Sequence, residues 1–458
     1  MSHAVPNIDE GAPLSRRARY LVLAVAFLGW MFAGTQMSIT PLMSRSATID
    51  LLWPDQQGQA LSQEQRELVG LWFSWHNASF LFGAAAGGLL FGWLGDRAGR
   101  TRAMAWSILC YSCFSGLSYL VVDPHQLLVL RFLTCLGVGG MWPNGVALVS
   151  EAWSEVSRPT LAGIIGTSAN VGIVMMGVAS IYFRITPESW RWMMLVGAMP
   201  ALLGIFVWAA VPESPRWAAG RLRTGQVRPP APVAEIFRPP LLHLTLIGIC
   251  LGTVPLLGGW GSGNWLVPWA DEVGGTADPY LKGWTQVMRS LGGTLGSLAG
   301  GWVAGALGRR RSYFLISLAS LAISAYIFRS LHPATAGEYS FSDFAWGLIG
   351  AGPAIGIETV NLFSLWAFML GVFSGLYFGW LPLCLPELFP TRVRSTGAGV
   401  AFNSGRVGAA IGVLGAGELI KSHYGGDYGR VGAITSLIYA VGMIVIWLAP
   451  KTDQKLKD

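Results

Sequence analysis

Three arginines lie inside long apolar stretches of this sequence, where a charged side chain is costly. Counted from the ends of its stretch, Arg406 is near the middle, Arg289 is somewhat off centre and Arg131 is nearer one end. In a membrane interior an arginine costs about 3 kcal/mol on insertion scales, so these residues mark candidate functional sites. A guanidinium binds a carboxylate through two parallel hydrogen bonds. The three arginines therefore predict a site for an organic anion.

Almost no acidic residue accompanies these arginines. Glu418 is the one acidic residue that we place clearly within an apolar stretch, close to its end. The substrate could supply the missing negative charge, and Arg406 is the first candidate to hold it. Two other interpretations stay open, because Arg406 could bond helix carbonyls and Arg289 could extend its charge towards the membrane surface.

Amide and aromatic side chains at similar depths complete the candidate substrate site. Amides donate and accept hydrogen bonds, and ring faces suit an apolar or aromatic substrate body. For any one ring, packing in the protein core is the other interpretation. The predicted substrate-binding set is Gln36, Trp142, Asn170, Asn264, Arg289, Tyr377, Trp380, Asn403 and Arg406.

Enzyme chemistry has little support in the sequence. It contains no P-loop pattern, no cluster with metal-ligand spacing and no Ser/His/Asp set in a plausible place. The five cysteines fall within apolar stretches, so we expect no disulfide between loops. We predict a protein that is not an enzyme and that uses no cofactor and no metal.

Membrane-spanning helices must position these residues, and the composition is apolar enough to form such helices. Hydrophobic residues make up 52% of the 458 residues and charged residues 12%, with a mean hydropathy of +0.49. Each of twelve apolar stretches can cross a hydrocarbon core of about 30 Å. A shorter piece, residues 345–357, is broken by Pro353 and is predicted to be loop. The predicted spans are residues 20–43, 69–94, 103–122, 126–149, 160–183, 191–211, 241–269, 281–307, 312–331, 362–385, 395–420 and 430–449.

The placement of Lys and Arg predicts the orientation. If both termini are cytoplasmic, most of the 31 Lys and Arg residues lie in cytoplasmic segments. The net charge of +7 is then a topological signal, and the dispersed basic residues argue against nucleic-acid binding. We predict a monomer that spans the plasma (cell inner) membrane many times. Its partners are the lipid bilayer and a small-molecule substrate of anionic character.

An internal repeat divides the chain into two halves. A Gly-Gly-x-x-x-Gly-x-Leu-Gly pattern begins at Gly87 and again at Gly300, and Glu151 has a counterpart, Glu387, 236 residues later. Two homologous halves around a central cavity suit alternating access. The predicted segments are an N-terminal tail (1–19), a first six-helix half (20–217), a linker (218–238), a second six-helix half (239–450) and a C-terminal tail (451–458), with the tails and linker cytoplasmic.

Three motifs resemble those of the major facilitator superfamily. One is G-x-x-x-D-R-x-G-R-x-R from Gly92 to Arg102, where glycines allow close helix approach and Asp96 can cap a neighbouring helix or pair with arginines. The elements P-E-S-P-R-W at 212–217 and P-E-L-F-P-T at 386–391 are similar to those of its sugar-porter and organic-ion branches. The resemblance implies an all-α membrane protein with twelve transmembrane helices in two pseudo-symmetric six-helix halves.

The resemblance also gives a role to charged residues at the cytoplasmic helix ends. Within the superfamily such residues are interpreted as ion-pair clusters that hold one conformation and release it in another. The other interpretation is that they only set the topology. The predicted gating set is Asp96, Arg97, Arg100, Glu151, Arg158, Glu213, Arg216, Glu387 and Arg394.

The region from Gly397 to Gly408 looks like span eleven of the organic anion transporters, which place an arginine where Arg406 stands. By the repeat offset of 236 residues, Asn170 is the counterpart of Arg406, so both could face one cavity. The resemblance implies a secondary transporter for a small organic anion, a carboxylate-type metabolite. A sugar or polyol transporter stays open, as does a transporter-like nutrient sensor, which would normally carry a long cytoplasmic tail or loop.

The energy source is predicted from the first span, where this sequence differs from proton-coupled relatives. Proton-coupled relatives often carry acids there, whereas this chain has Ala33 and Gln36. We therefore expect facilitated diffusion or exchange. Proton symport through His76 is the alternative, because an imidazole has a pKa near 6.5. Arg131 matches an arginine that commonly serves packing or coupling in the sugar-porter branch, so His76 and Arg131 form the predicted coupling pair.

Overall fold

The computed structural model describes residues 14–56, 60–153, 158–214, 217–218, 233–275, 278–340, 359–390 and 393–450. The predicted loop at 345–357, the C-terminal tail and most of the linker and N-terminal tail lie outside these ranges. The described chain is almost entirely helical, which confirms the all-α part of the predicted fold class. Its exception is a two-stranded antiparallel hairpin, in which β1 (Glu338–Ser340) pairs with β2 (Thr359–Asn361).

Twelve helical segments follow one another along the described residues. Ten of them are long and apolar enough to cross a membrane. The other two, α8 and α11 below, are rich in glycine and carry Arg289 and Arg406, which lower their hydropathy. The segments are α1 (Arg16–Leu52), α2 (Gln63–Ala98), α3 (Arg100–Leu117), α4 (Pro124–Ala152), α5 (Arg158–Tyr182), α6 (Trp192–Ala210), α7 (Leu242–Gly274), α8 (Leu281–Leu307), α9 (Arg309–Ser330), α10 (Leu362–Cys384), α11 (Arg394–Ser422) and α12 (Tyr428–Leu448).

Three of these segments are interrupted where the sequence predicts continuous spans. Segment α6 consists of Trp192–Ala198 and Ala201–Ala210, and α12 of Tyr428–Thr435, Ile438–Val445 and Ile446–Leu448. In α7, helix Leu242–Leu257 is followed by a π-helical turn (Gly258–Ser262), a 3₁₀ turn (Gly263–Trp265) and helix Leu266–Gly274. Four glycines within six residues weaken the regular helix there. Short turns also form at Pro54–Gln56, Ser118–Leu120, Val233–Ile236 and Pro386–Leu388.

Most predicted spans coincide with the helices to within a few residues, but α1 and α2 extend further. Helix α1 continues to Leu52, whereas hydropathy ends the span at residue 43. Helix α2 begins at Gln63 rather than residue 69, behind a capping box in which Ser62 and Gln65 satisfy each other's backbone N–H groups. Hydropathy detects the apolar middle of a helix, whereas its ends are set by caps and hydrogen bonds.

The turn between α2 and α3 differs from the predicted arrangement, because Glu213 rather than Asp96 caps α3. The Thr101 N–H donates to Glu213 Oε1 at 3.0 Å. Gly99 makes the turn at φ 113°, and a Cβ added to it would lie 2.1 Å from Glu213 Oε2. Asp96 instead pairs with Arg100 at 2.6 Å. The expectation that Asp96 caps the helix was wrong, because the carboxylate that reaches α3 follows the end of α6.

Helices α1–α6 pack on one another, as do α7–α12, and we call these the first and second groups. The groups meet along two antiparallel helix pairs, α2 with α11 and α5 with α8. Glycines allow close approach in both pairs: Gly417 lies against Ser74, and Gly177 lies against Val287. Small residues are the usual means by which membrane helices approach closely.

Polar contacts between the groups are concentrated towards one side. We call the side where α1 begins and α12 ends the terminal face. Towards the opposite face, Gln286 Nε2 donates to Ser38 Oγ at 3.3 Å and Lys282 Nζ donates to the Ile185 carbonyl at 2.8 Å. Towards the terminal face, the described residues form no hydrogen bond between the groups beyond that of Arg406. In the described residues, the polar contacts between the groups therefore lie mainly towards the opposite face.

Candidate functional site

Arg406 lies on α11 at the boundary between the two groups. Its Nη1 donates to the Ala84 carbonyl of α2 at 3.0 Å and to Asn403 Oδ1 at 3.1 Å. The guanidinium carbon lies 4.9 Å from the centre of the Phe402 ring. Within the described residues, Nη2 has no hydrogen-bond partner. One amino group of Arg406 thus bonds a helix carbonyl, and the other is available to an anion.

Arg289 lies on α8 and is held by an amide. Its Nη2 donates to Asn264 Oδ1 at 2.6 Å, and its Nη1 is buried without a hydrogen-bond partner. A Cβ added to Gly263 would lie 3.2 Å from this Nη1. Among the described residues, no carboxylate forms an ion pair with Arg289 or Arg406. Within the part of the chain that the structure describes, neither positive charge is therefore compensated by a carboxylate.

A second amide extends the Arg289 contact across the boundary between the groups. Asn264 Nδ2 donates to Asn77 Oδ1 of α2 at 3.2 Å. Asn264 is 1% exposed and Asn77 is 0% exposed, so water does not compete for this bond. The Nδ2 of Asn77 is left without a partner. A hydrogen-bonded chain thus runs from Arg289 through Asn264 to Asn77.

One face of α2 carries all of these contacts with the second group. Phe73, Asn77, Phe80, Ala84 and Gly88 are spaced by three or four residues, so they share a face. The Phe73 ring lies 4.8 Å from Trp265, and the Phe80 ring lies 4.2 Å from Trp260. Ala84 follows Asn77 by seven positions, which corresponds to about 10 Å along the helix axis. Arg289 and Arg406 are therefore linked to α2 at two different depths.

Of two further predicted substrate residues, Asn170 lies beside this boundary, whereas Trp142 contacts residues of the first group. Asn170 of α5 packs on α8, where a Cβ added to Gly293 would lie 3.3 Å from its Oδ1. Gly293 is one helical turn from Arg289, so Asn170 and Arg289 lie on adjacent turns of one interface. Trp142 of α4 is partly buried, with its ring 5.0 Å from that of Trp30. Asn170 thus lies beside the Arg289 site, to which Asn264 is bonded directly.

Gln36 and Arg131 lie together inside the first group. Arg131 Nη2 donates to the Gln36 carbonyl at 2.8 Å and to Thr40 Oγ1 at 3.2 Å. Gln36 Nε2 donates to the Gly197 carbonyl at 2.7 Å. Both side chains are fully buried among α1, α4 and α6, so the structure does not bring Gln36 to Arg406.

Tyr377 and Trp380 lie inside the second group. The Tyr377 hydroxyl is 2.6 Å from Ser317 Oγ of α9, and Trp380 Nε1 donates to the Arg309 carbonyl at 3.0 Å. Both rings pack around Tyr313. These contacts face the second group's own core, away from Arg406.

His76, the other predicted coupling residue, is buried against α1. Its Nδ1 lies 2.7 Å from Ser44 Oγ, and its Nε2 has no hydrogen-bond partner. The imidazole ring is 5.8 Å from the Trp72 ring. Thus His76 faces the first group, whereas its chain neighbour Asn77 faces the second.

The predicted gating residues form two separate clusters, one in each group. In the first, Arg100 pairs with Asp96 and lies 4.0 Å from Glu151, which accepts a hydrogen bond from Ser214. Arg97 stands apart, 4.4 Å from the centre of the Trp93 ring. The side chain of Arg158 and the whole of Arg216 lie outside the described residues.

In the second cluster, Glu387 accepts two hydrogen bonds from Arg309, at 3.0 and 3.1 Å. Arg394 Nε donates to the Phe389 carbonyl at 3.3 Å. Arg309 is absent from the predicted gating set. The repeat holds the signal for it, because Arg309 occupies the position of Asp96 in the second half. Phe80 is also missed, since an apolar ring in an apolar span carries no distinguishing signal.

Comparison with known proteins agrees with this architecture. Residues 20–274 match the family model described as "Major Facilitator Superfamily". The chain is 27% identical to the "Putative niacin/nicotinamide transporter NiaP" of Bacillus subtilis, over 95% of this chain and 94% of that protein. It is 28% identical to the "Cis,cis-muconate transport protein" of Acinetobacter baylyi, over 72% and 74% respectively. It is similar in fold to the partially occluded, inward-open xylose transporter XylE from E. coli, with a TM-score of 0.67, 16% identity and coverage of 96% and 100%.

Proposed function

Because this chain belongs to the Major Facilitator Superfamily, a family of transporters rather than enzymes, we propose that it carries a small carboxylate across the plasma (cell inner) membrane by alternating access. The first and second groups are the two six-helix halves, residues 20–217 and 239–450, joined by the linker at 218–238. All twelve segments cross the bilayer, and both termini are cytoplasmic. The terminal face is then the cytoplasmic face, and the protein acts as a monomer.

One observation supports an anionic substrate above the alternatives. Arg289 and Arg406 lie between the halves, and no carboxylate of the described residues pairs with either. A buried charge is costly unless an opposite charge or hydrogen bonds compensate it. A substrate carboxylate compensates it while bound, whereas a sugar offers hydroxyls and leaves the charges unbalanced. The proposed substrate site therefore centres on Arg289, Arg406, Asn403, Asn170 and Asn264.

The names of two relatives support the same class of substrate. Niacin and cis,cis-muconate are both carboxylic acids. The aromatic side chains near the arginines, Phe80, Trp260 and Phe402, offer ring faces to the carbon skeleton of such a substrate. We therefore propose an apolar or aromatic body attached to the carboxylate.

The contacts between the halves support an inward-facing state. Gln286, Lys282 and Asn264 join the halves towards the outer face, whereas towards the cytoplasmic side the described residues form no hydrogen bond between the halves beyond that of Arg406. The substrate would leave this state towards the cytoplasm. The clusters around Asp96 and Glu387 lie at that side and would hold the conformations of their own halves during the cycle.

We propose exchange or facilitated diffusion rather than proton symport. Neither Ala33 nor Gln36 can carry a proton, and Gln36 is committed to Arg131 and Gly197. His76 is bonded to Ser44 within the first half. None of Ala33, Gln36 and His76 therefore offers a translocated proton a titratable group at the boundary between the halves.

A ligand screen tests the substrate class. Purified protein is heated with nicotinate, nicotinamide, cis,cis-muconate or xylose, and its unfolding temperature is measured. At a hundred times its Kd a ligand stabilises the folded state by about 2.7 kcal/mol. We expect stabilisation by one or both carboxylates and none by nicotinamide, which matches nicotinate in shape but lacks its charge. Stabilisation by xylose alone would favour the sugar transporter, and binding without any flux would favour the sensor.

A further inference from the structure

We propose that Asn264 couples anion binding at Arg289 to closure of the outer face, so that the empty carrier is locked and the loaded carrier is released. This inference rests on the proposed carboxylate transport. It identifies a positioning residue that does not itself need to hold the substrate. Its consequence is that exchange is faster than net transport.

The hydrogen bonds that link Arg289, Asn264 and Asn77 can run in one direction only. A guanidinium only donates, so Arg289 requires the oxygen of the Asn264 amide to face it. The amide nitrogen of Asn264 must then point away, and it donates to Asn77 Oδ1. Asn77 accepts at the expense of its own Nδ2, which stays buried without a partner. Arg289 therefore fixes the donor and the acceptor in the hydrogen bond between Asn264 and Asn77.

The hydrogen bonds from Arg289 through Asn264 to Asn77 join the two halves at the outer side. Asn77 belongs to the first half, whereas Asn264 and Arg289 belong to the second. Both amides are buried, and a hydrogen bond in a dry environment is stronger than one in water. The 2.6 Å bond from the charged Arg289 is of the stronger, charge-assisted kind. In the empty carrier, Arg289 thus stabilises the contact that keeps the outer face closed.

A substrate carboxylate and Asn264 compete for the guanidinium of Arg289. A carboxylate that binds Arg289 through two parallel hydrogen bonds uses Nη2 as well as the unpartnered Nη1, and at Nη2 it competes with Asn264 because it is the stronger acceptor. Without that donor, the Asn264 amide is free to rotate, and its bond to Asn77 weakens. A ligand shifts a conformational equilibrium by its difference in affinity between the two states. The bound anion thereby favours reorientation, whereas the empty carrier keeps its lock.

Flux measurements in two modes test the coupling. Proteoliposomes in which the outer face of the protein faces the medium are assayed with nicotinate or cis,cis-muconate, whichever stabilises the protein more, for exchange and for net uptake. Net uptake requires the empty carrier to open its outer face again, so we expect wild-type exchange to exceed net uptake at least tenfold. Asn77→Ala removes the link between the halves without touching Arg289, so net uptake should rise until the ratio of exchange to net uptake is within about twofold of one.

Two further variants separate the coupling from general loosening of the outer face. Gln286→Ala breaks the contact to Ser38, which involves no arginine, and it should leave the ratio at the wild-type value. Asn77→Asp keeps the acceptor for Asn264 Nδ2, so its ratio should equal or exceed that of wild type. Should Asn77→Ala fold poorly, the Asn77→Asp result still decides, because a ratio near one there contradicts the lock.

The outcomes distinguish the two proposals. Wild-type protein that moves neither carboxylate contradicts the proposed function, and the coupling with it. Wild-type carboxylate flux with a ratio near one, an unchanged ratio in Asn77→Ala, or an equal fall in Gln286→Ala overturns the coupling alone and leaves the transported substrate as proposed.

Discussion

Arg406 of α11 donates a hydrogen bond of 3.0 Å to the backbone carbonyl of Ala84 in α2, across the boundary between the two halves. An arginine that the sequence predicts to contact the substrate is therefore also a contact between the halves. The two roles are compatible because the bond uses Nη1 and leaves Nη2 available. In the proposed mechanism, one side chain takes part both in substrate binding and in the contact between the halves.

Replacing Arg406 should weaken carboxylate binding. Arg406→Gln removes the charge and the second amino group, and a lost hydrogen bond to a charged group costs about 2 kcal/mol. That energy corresponds to roughly a 30-fold rise in Kd, measured by thermal shift against carboxylate concentration. Arg430→Gln, on the exposed start of α12, is the matched control and should bind normally. Unchanged carboxylate affinity in Arg406→Gln would place the substrate elsewhere.

Replacing Asp96 should slow transport without weakening binding. Asp96→Asn loses the 2.6 Å ion pair with Arg100, which lies towards the terminal face, away from the arginines between the halves. A bias of about 1–3 kcal/mol between facing states is typical of coupled sites. Turnover and Kd are measured in parallel, with Glu188→Gln as an exposed control. Loss of affinity at unchanged turnover would assign Asp96 to the substrate site instead.

Gly99 should tolerate no side chain. Alanine at φ 113° is strained, and its Cβ would meet Glu213 Oε2 at 2.1 Å. We expect Gly99→Ala to cost about 2 kcal/mol of unfolding free energy and to lower the melting temperature. Gly92→Ala is the control, because nothing lies within 4 Å of its added Cβ and alanine favours the helix. Equal melting temperatures for the two variants would argue against the turn described here.

A proton gradient should drive little accumulation. His76 is bonded to Ser44 inside the first half, and the Ala33 and Gln36 positions hold no acid. Uptake of the preferred carboxylate into proteoliposomes is therefore expected to be nearly the same with and without an inward proton gradient. The proposal fails if the gradient drives strong uphill uptake that His76→Ala abolishes while exchange survives.

The sequence predicts the fold well because helix hydropathy is a local property. Apolar stretches near the length of a bilayer place the helices, and the repeat relates Asp96 to Arg309 and Glu151 to Glu387. The interruption of α7 at Gly258–Ser262 is not predicted, since glycine is also common in uninterrupted membrane helices such as α8. Caps such as Glu213 depend on which distant segment arrives at the helix end.

The candidate site is predicted less completely, because depth in the membrane does not reveal which neighbour a side chain faces. Arg289 and Asn264 share a depth and are bonded to each other. Tyr377 lies deep in its helix but faces Ser317 in its own half. Gln36 likewise binds Arg131 rather than the space between the halves. The direction in which a side chain points around its helix axis is set by tertiary packing, so it cannot be read from an apolar pattern.

Counterflow of a labelled carboxylate is the most direct test of the central claim. Proteoliposomes containing the wild-type protein are preloaded with unlabelled nicotinate, cis,cis-muconate, nicotinamide or xylose, and uptake of labelled nicotinate and of labelled cis,cis-muconate is followed. We predict that a preloaded carboxylate accelerates uptake of at least one labelled carboxylate, that nicotinamide and xylose do not, and that Arg289→Gln and Arg406→Gln abolish the acceleration. Counterflow of xylose in place of the carboxylates, or carboxylate counterflow that both arginine variants retain, would contradict the account.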